Sequence, residues 1–527
     1  MTKETLHQKL LEYYHLSDEE FFYRKKLQGT KDFIDPYQNK DFCKVVDKLK
    51  QIIKDKKKVL IYGDYDYDGI SSTTIIKFAF NKLGGVCERF IPSRYIEGYG
   101  LNKSVIDTAK ERGYDVIITV DNGITKLDEV QYCLDLGLEV VIIDHHEAIE
   151  GATIPTEYVF HQFVSKFTDY NISAAFLCLF VSYGLIGYYD DYLVTLAGIA
   201  VLSDCMPMKE MNIALVRNSL SNLNKFRYKP LIRLLDDPYN ENIDFKDLNF
   251  SIIAKINAIN RILEKYEANR VVDYLLCEDA RKIYNDSLWF NAVNREKKSI
   301  VNDIIKDIQE DKNDPLFFKV FETQIGLSGL IASRLLSNKD VIGVFIPKED
   351  DNEIYICSLR AKSSYNLLEA VRSCSSLLEQ FGGHKEACGV TVRKENYEEF
   401  ITKLRAALKE NQTEVIEEND KYIMLSVDDL NHETIDEINE FKPFSLDFPE
   451  PNFAMFYFKE YIRPREDNHV IVRLDSNKSI LYFNGKKELE KVKDDKVLFI
   501  GKLQSSVYNG NTQFSLKTDK VKSVDSR

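Results

Sequence analysis

Three short apolar runs, VLIY at 59–62, VIITV at 116–120 and VVII at 140–143, each stop within two residues at an aspartate. Helical periodicity follows the first over 70–83, closing at Gly84-Gly85, and another helix follows the second. Strands alternating with helices build right-handed βαβ units and a mainly parallel sheet, so the expected fold class is α/β. In an open sheet of this kind, ligands gather beyond the carboxyl ends of the strands. The acids stand there. GDYDYDG carries Asp64, Asp66 and Asp68, DNG carries Asp121, DHH supplies Asp144, His145 and His146, and a fourth apolar run at 196–202 leads into Asp204.

Any one of these aspartates could simply cap a helix, since Asp is favoured there and its charge suits the positive helix end. As a set they need more. Three acids alternating within five residues repel one another unless cations lie between them. Carboxylates mixed with imidazoles suit Mn²⁺ or a similar borderline divalent ion better than Ca²⁺. The chain has only eight histidines, and two of them are adjacent at this edge. Two such ions ~3.5–4 Å apart are the standard equipment for hydrolysing a phosphate ester.

With 527 residues, 44% of them hydrophobic, the chain is long enough for several domains, each with its own core. Nine cysteines without a CxxC pair argue against a disulfide scaffold or structural zinc and point to a reducing cytoplasm. The first fifteen residues are charged throughout, so no signal peptide is expected. The uncharged run 172–189 approaches the length of a bilayer span, but acids and no basic cluster flank it, so it reads as a buried core helix. The net charge of −13 counts against a nucleic-acid partner only until the acids above are assigned to cations; a groove needs only a local basic excess. Within 211–235, Arg217, Lys225, Arg227, Lys229 and Arg233 interleave with Phe226 and Tyr228, which suits either strand binding or an amphipathic surface helix.

The organisation reads as an N-terminal helical segment (1–50), a parallel-sheet catalytic lobe (51–278), a long charged connecting helix (279–314), a second α/β lobe (315–408), and an acidic linker followed by a β-rich module (409–527). In that last module Tyr482, Phe483, Tyr508 and Phe514 could stack on bases or lie in the core.

The four acidic blocks resemble the motifs of the DHH phosphoesterase superfamily, and most of the chain resembles RecJ-type single-stranded-DNA-specific exonucleases. PSRYIEGYGL around Arg94, KINAINR with Asn257, Ala258 and Arg261, AVNREKK at 292–298, GLSGLIASRL at 326–335, GGHKEACG at 382–389 and PFSLDFPEPNF at 443–453 are similar to that family's blocks. The resemblance implies a DHH domain, a connecting helix, a DHH-associated domain and an OB-fold. It implies two Mn²⁺ ions, with Mg²⁺ as an alternative, surrounded by Asp66, Asp68, Asp121, Asp144, His145, His146 and Asp204 as the catalytic set, with Asp64 nearby. Arg94 and Arg261, with Ser333 and Arg334 of the second lobe, would hold a 5′ phosphate, and Gly382, Gly383 and His384 would line the cleft. The implied activity is 5′→3′ hydrolysis of single-stranded DNA to nucleoside 5′-monophosphates in DNA repair and recombination. The implied protein is a cytoplasmic monomer without membrane contact, working beside a helicase and a single-strand-binding protein. Three positions depart from the family pattern: Thr323-Gln324 replaces a usual Trp-His, Cys388 replaces an Ala and His161 replaces an Asn. The rival readings are a nanoRNase or cyclic-dinucleotide phosphodiesterase, a non-catalytic replication scaffold and, more distantly, a pyrophosphatase.

Overall fold

The computed structural model describes residues 5–306, 308, 314–336, 339–348, 351–411, 421–462, 468–508 and 510–523. The chain forms two units, one of Ile34–Met206 with Leu215–Ile416, the other of Met1–Phe33 with Pro207–Ala214 and Glu417–Arg527.

In the larger unit the apolar runs become parallel strands β1 (Lys58–Tyr62), β2 (Val86–Phe90), β3 (Val116–Val120), β4 (Glu139–Ile143) and β5 (Val159–Phe160), in the order β2-β1-β3-β4-β5. All five residues of β3 are buried, as expected where helices cover both faces of a parallel sheet. The register pairs Tyr62 with Thr119 and Val120 with Ile143, so β1, β3 and β4 end side by side and deliver Asp64, Asp121 and Asp144 to one edge.

Helices α1 (Lys40–Lys54), α2 (Tyr67–Lys82), α3 (Ala174–Ile186) and α4 (Asp191–Ser203) pack around this sheet. The uncharged run at 172–189 is α3, a buried helix of 13 residues capped by Ser173 and closed by a left-handed Gly187. Among the described residues, no helix is long and apolar enough to cross a membrane. The run at 196–202 lies within α4, so Asp204 arrives at a helix C-terminus and not after a strand.

Helix α5 (Ala254–Ile262) packs on the connecting helix α6 (Ala280–Lys306), where Lys297 Nζ donates to the Ala254 carbonyl at 3.0 Å. The second lobe carries β6 (Leu316–Val320), α7 (Ser328–Leu335), β7 (Val341–Lys348), β8 (Asp351–Ala361), β9 (Leu378–His384) and β10 (Ala387–Arg393). Its sheet runs β6-β7-β8-β10-β9; only β6 and β7 pair in parallel, so the lobe is mixed.

The smaller unit is built on one six-stranded sheet of β11 (Ile423–Met424), β12 (Phe453–Phe458), β13 (Val470–Arg473), β14 (Lys478–Tyr482), β15 (Lys496–Tyr508) and β16 (Asn511–Ser523). The N-terminal segment expected as one piece is divided. Leu6–Tyr14 and Asp18–Lys26 give Leu10, Leu11 and Phe21 to the core of this sheet, whereas α1 belongs to the larger unit. The PFSLDFPEPNF block is their anchor: Tyr14 stacks on Phe448 at 4.0 Å and donates its hydroxyl to the Pro449 carbonyl. Most of the acidic linker, 412–420, lies outside the described residues.

Candidate metal centre

Local geometry places each acid. Asp66 caps α2 by accepting the Gly69 N–H at 3.1 Å, and Gly69 packs so closely on Asp64 that a Cβ there would come within 2.5 Å of the Asp64 carbonyl. Asp68 is fully buried and accepts two backbone N–H groups of the α3 terminus, Ala174 at 2.7 Å and Ala175 at 2.8 Å. Asp121 holds a left-handed φ of 62°, uncommon for a residue with a Cβ. The neighbouring Asn122 amide pins that turn by donating to the Tyr62 and Val120 carbonyls.

Three overlapping groups of ligand atoms result, each within 4.8 Å: Asp121 with His145 and His146, Asp68 with His145 and Asp204, and Asp64 with Asp66 and Asp121. His145 Nδ1 lies 3.1 Å from the Ile172 carbonyl and His146 Nδ1 2.8 Å from Asp144. Each Nδ1–H donates there; for His145, whose ring is held neutral by burial, this leaves Nε2 as a lone pair, the usual arrangement behind a ligating imidazole, whereas the Asp144 hydrogen bond and charge raise His146. His145 Nε2 stands 3.2 Å from Asp121 and 3.3 Å from Asp204, outside hydrogen-bond geometry with either.

Whether a cation fits is decided by the buried acceptors. Asp64 Oδ1, Asp121 Oδ1 and His145 Nε2 are buried and lack hydrogen-bond partners among the described residues. Each would cost ~1–3 kcal/mol if left bare. Burial and then the charge of Asp66 push the Asp64 carboxyl up to about 8 and Asp68 up to about 7. Asp121 and Asp204 are raised well above the carboxylate range by burial first and by Asp68 next. His145 is pushed down to about 4 by burial and by His146, so it is neutral at physiological pH. Acceptors crowded in this way are what divalent cations satisfy, and the residues fit such ions.

Asp144 behaves differently from the other acids. Its oxygens accept from the backbone of Ile124, His145 and His146 and from the His146 ring, so it is saturated by protein donors and lies outside the three groups. Burial would raise its carboxyl, but the hydrogen bond from His146 and then the charge of that ring bring it down to about 2. Asp144 therefore holds the His146 ring, while the Ile172 carbonyl holds that of His145. His161, open in the sequence, has a similar place: its Nδ1 accepts from Phe163 and Val164, and its Nε2 donates to the His146 carbonyl at 2.7 Å.

A basic cluster adjoins these acids. The Arg94 guanidinium lies 4.4 Å from the Tyr65 ring centroid, and its Nε is buried without a hydrogen-bond partner. Arg261 is lowered by burial and then by the charge of Arg94, with Arg360 also contributing. Arg360 was not singled out in the sequence. It alternates with Cys357 and Leu359 on β8, so it shares with Ser358 the face opposite the core, and the bare Gly329 admits its guanidinium, Nη2 lying 3.1 Å from where a Cβ would be. That period-two pattern was the available signal. Ser333 and Arg334 instead lie exposed on α7, with Arg334 donating to Asn302. Gly382, Gly383 and His384 form an exposed end of edge strand β9, where Gly383 takes φ 140° and a Cβ would come within 2.2 Å of the Ala387 carbonyl.

The loop 94–100 ties these parts together. Tyr95 donates to the Arg261 carbonyl at 2.7 Å, Glu97 accepts from Ser93 and Tyr266, and the Tyr99 hydroxyl lies 3.1 Å from His146 Nδ1. By contrast, Arg227 is committed to the Pro238 and Asn240 carbonyls and Tyr228 packs on Tyr192, which supports a structural reading of that stretch.

Comparison with known proteins follows the same divisions. The DHH family, N-terminal domain, matches 58–179, the DHHA1 domain matches 313–410, and the RecJ OB domain matches 423–520. The chain belongs to the RecJ-type branch of the DHH family. This RecJ-type chain is 28% identical over 435 residues to the single-stranded-DNA-specific exonuclease RecJ of Bacillus subtilis, covering 80% of itself and 55% of that protein. It is 26% identical to the Thermus thermophilus protein of that name, covering 89% of itself and 69% of the relative. It therefore spans little more than half of the first relative. In fold it matches RecJ from Thermus thermophilus in complex with Mn²⁺ (TM-score 0.80, 22% identity, 100% of this chain and 79% of that one). It also matches a manganese-bound exonuclease RecJ (TM-score 0.60, 25% identity, 70% and 95%). A Mg²⁺ complex of the Thermus protein is a further match, with TM-score 0.72 at 19% identity over 100% and 78%.

In the RecJ OB domain, Tyr482 and Phe514 lie in the core, Phe483 is exposed, and the Tyr508 side chain is outside the described residues. Cys388 is a buried core residue, and Thr323 contacts Gln324 at 3.1 Å in the position of the usual Trp-His.

Proposed function

We propose that this chain is a metal-dependent 5′→3′ exonuclease that hydrolyses single-stranded DNA to nucleoside 5′-monophosphates, acting in DNA repair and recombination. The observation that carries the reading is the juxtaposition of the unsatisfied carboxylate–imidazole centre with a cluster of arginines on both lobes of one unit. Asp64, Asp66, Asp68, Asp121, His145, His146 and Asp204 would hold two divalent ions, Mn²⁺ or Mg²⁺, with Asp121 and His145 shared between groups. When bound, such ions neutralise the charge developing on a phosphodiester and make water a better nucleophile.

The protein's own groups do the rest. Asp144 and the Ile172 carbonyl hold the two imidazole rings through Nδ1, and His145 would offer Nε2, which stands beside Asp121 and Asp204, to a bound ion. Arg94, Arg261 and Arg360 would bind the terminal phosphate, and their forked donors suit an anionic oxygen group better than a point charge does. A terminal phosphate held beside the metal centre would set the cut at the first phosphodiester, so that single nucleotides are released. Gly382, Gly383 and His384 would border the leaving nucleotide. The reading calls for a cytoplasmic monomer supplied with single strands by a helicase and a single-strand-binding protein. A blunt duplex and the same strand alone, both 5′-phosphorylated, test it in Mn²⁺: the single strand is expected to be shortened and the duplex left intact. Equal loss of both would refute the strand preference.

A further inference from the structure

We propose that Tyr65 is a positioning residue that carries Arg94 on its ring and keeps that guanidinium off the acids of the metal centre. The proposal rests on the reading of Arg94 as a phosphate-binding group. Tyr65 stands between Asp64 and Asp66 in sequence, so a guanidinium seated on its ring lies beside two acids of the centre. An arginine so close to crowded carboxylates would ordinarily pair with one of them. Among the described residues, Arg94 pairs with no carboxylate. It lies over the Tyr65 ring at 4.4 Å, and its Nε is buried without a hydrogen-bond partner. The ring face is a partner that holds a cation without using its N–H donors. The backbone of Tyr65 is held as well, because the Asn260 amide donates to its carbonyl, one residue from Arg261. Tyr65 thus fixes the metal loop, Arg94 and the helix of Arg261 relative to one another, and leaves the Arg94 fork open for a terminal phosphate. The π face performs this role and the hydroxyl is dispensable.

The test uses the full chain and four variants: Tyr65→Phe, Tyr65→Leu, Arg94→Ala and Tyr65→Leu/Arg94→Ala. KM and kcat are measured on 5′-phosphorylated and 5′-hydroxyl single strands, and Mn²⁺ affinity is measured separately by calorimetry. Tyr65→Phe should keep the parental preference for the phosphate. Tyr65→Leu, similar in bulk but without a π face, should lose about ten-fold of that preference, chiefly through KM. It should also bind Mn²⁺ more weakly, because the released Arg94 swings onto Asp64 or Asp66, and adding Arg94→Ala should restore that affinity. Should Tyr65→Leu not fold by circular dichroism, Tyr65→Met is read in the same way. Retention of both preference and Mn²⁺ affinity in Tyr65→Leu, with loss of preference in Arg94→Ala, overturns this proposal alone. Unchanged preference in Arg94→Ala overturns the reading of Arg94 and this proposal with it.

Discussion

Gly326 and Arg261 meet backbone to backbone: a Cβ on Gly326 would lie 2.6 Å from the Arg261 Cα and 2.7 Å from its carbonyl oxygen. The Tyr95 hydroxyl donates to that same carbonyl and lies 3.4 Å from the Gly326 nitrogen. The helix carrying a proposed phosphate ligand is therefore seated directly on the first turn of the second lobe. Adding one methyl at this joint forces a shift, and overpacking of this kind costs ~1–3 kcal/mol. Gly326→Ala should lower the thermal midpoint and raise KM for 5′-phosphorylated strands. An unchanged melting curve would show that the joint yields freely.

Asp68 serves two ends at once, as a member of the ligand groups and as the acceptor for the N-terminus of α3. Asp204 closes α4 and, among the described residues, accepts no comparable pair of N–H groups. In metal-free protein, Asp68→Ala should cost more stability than Asp204→Ala, by ~1–2 kcal/mol as for a lost cap. Denaturant titration of both variants in chelator decides it, and equal midpoints would remove the structural role from Asp68.

Asp144 bonds the ring of His146, so its loss should act through that ring. Asp144→Asn is expected to weaken Mn²⁺ binding by about 10–100-fold while leaving the fold intact, the usual range for a group that orients a ligand. Isothermal titration measures this directly, and parental affinity would mean that His146 needs no orienting partner.

How much of this was legible beforehand depended on the kind of signal. The strand ends at Asp64, Asp121 and Asp144 could be read because period and punctuation are local, and register then aligns them. Asp204 was located in sequence, but its apolar run proved to be helix, since a short apolar run fits either element until packing decides. Ser333 and Arg334 belong to a local motif, whereas the second-lobe arginine whose charge reaches Arg261 is Arg360, placed by the pairing of β8 with its neighbours. The distinction between Asp144 and the other acids also needed three dimensions, because it depends on which N–H groups surround each carboxylate.

Lys297 offers a test through pH. It is 7% exposed, donates to the Ala254 carbonyl, and is pushed down to about 8 by burial first and by the charges of Arg261, Lys298 and Arg334 next. An ordinary lysine titrates near 10.4. Between those values the unfolded chain holds more protons at this site, so its contribution to folding stability rises with pH from about 8 to about 10.4. Below about 8 the full cost of burying the charge remains. Lys297→Met should flatten that slope in chemical denaturation at pH 8, 9 and 10, and an identical slope would place the titration elsewhere.

The most direct measurement is a time course on one single strand, phosphorylated and radiolabelled at its 5′ end, digested in Mn²⁺ by the parental chain and by Asp121→Asn. The expected first and dominant labelled product is a mononucleotide, released by the parental chain, abolished by chelator and lost in Asp121→Asn. A ladder of labelled strands shortened from the 3′ end, or equal release by Asp121→Asn, would contradict a 5′→3′ exonuclease built on this metal centre.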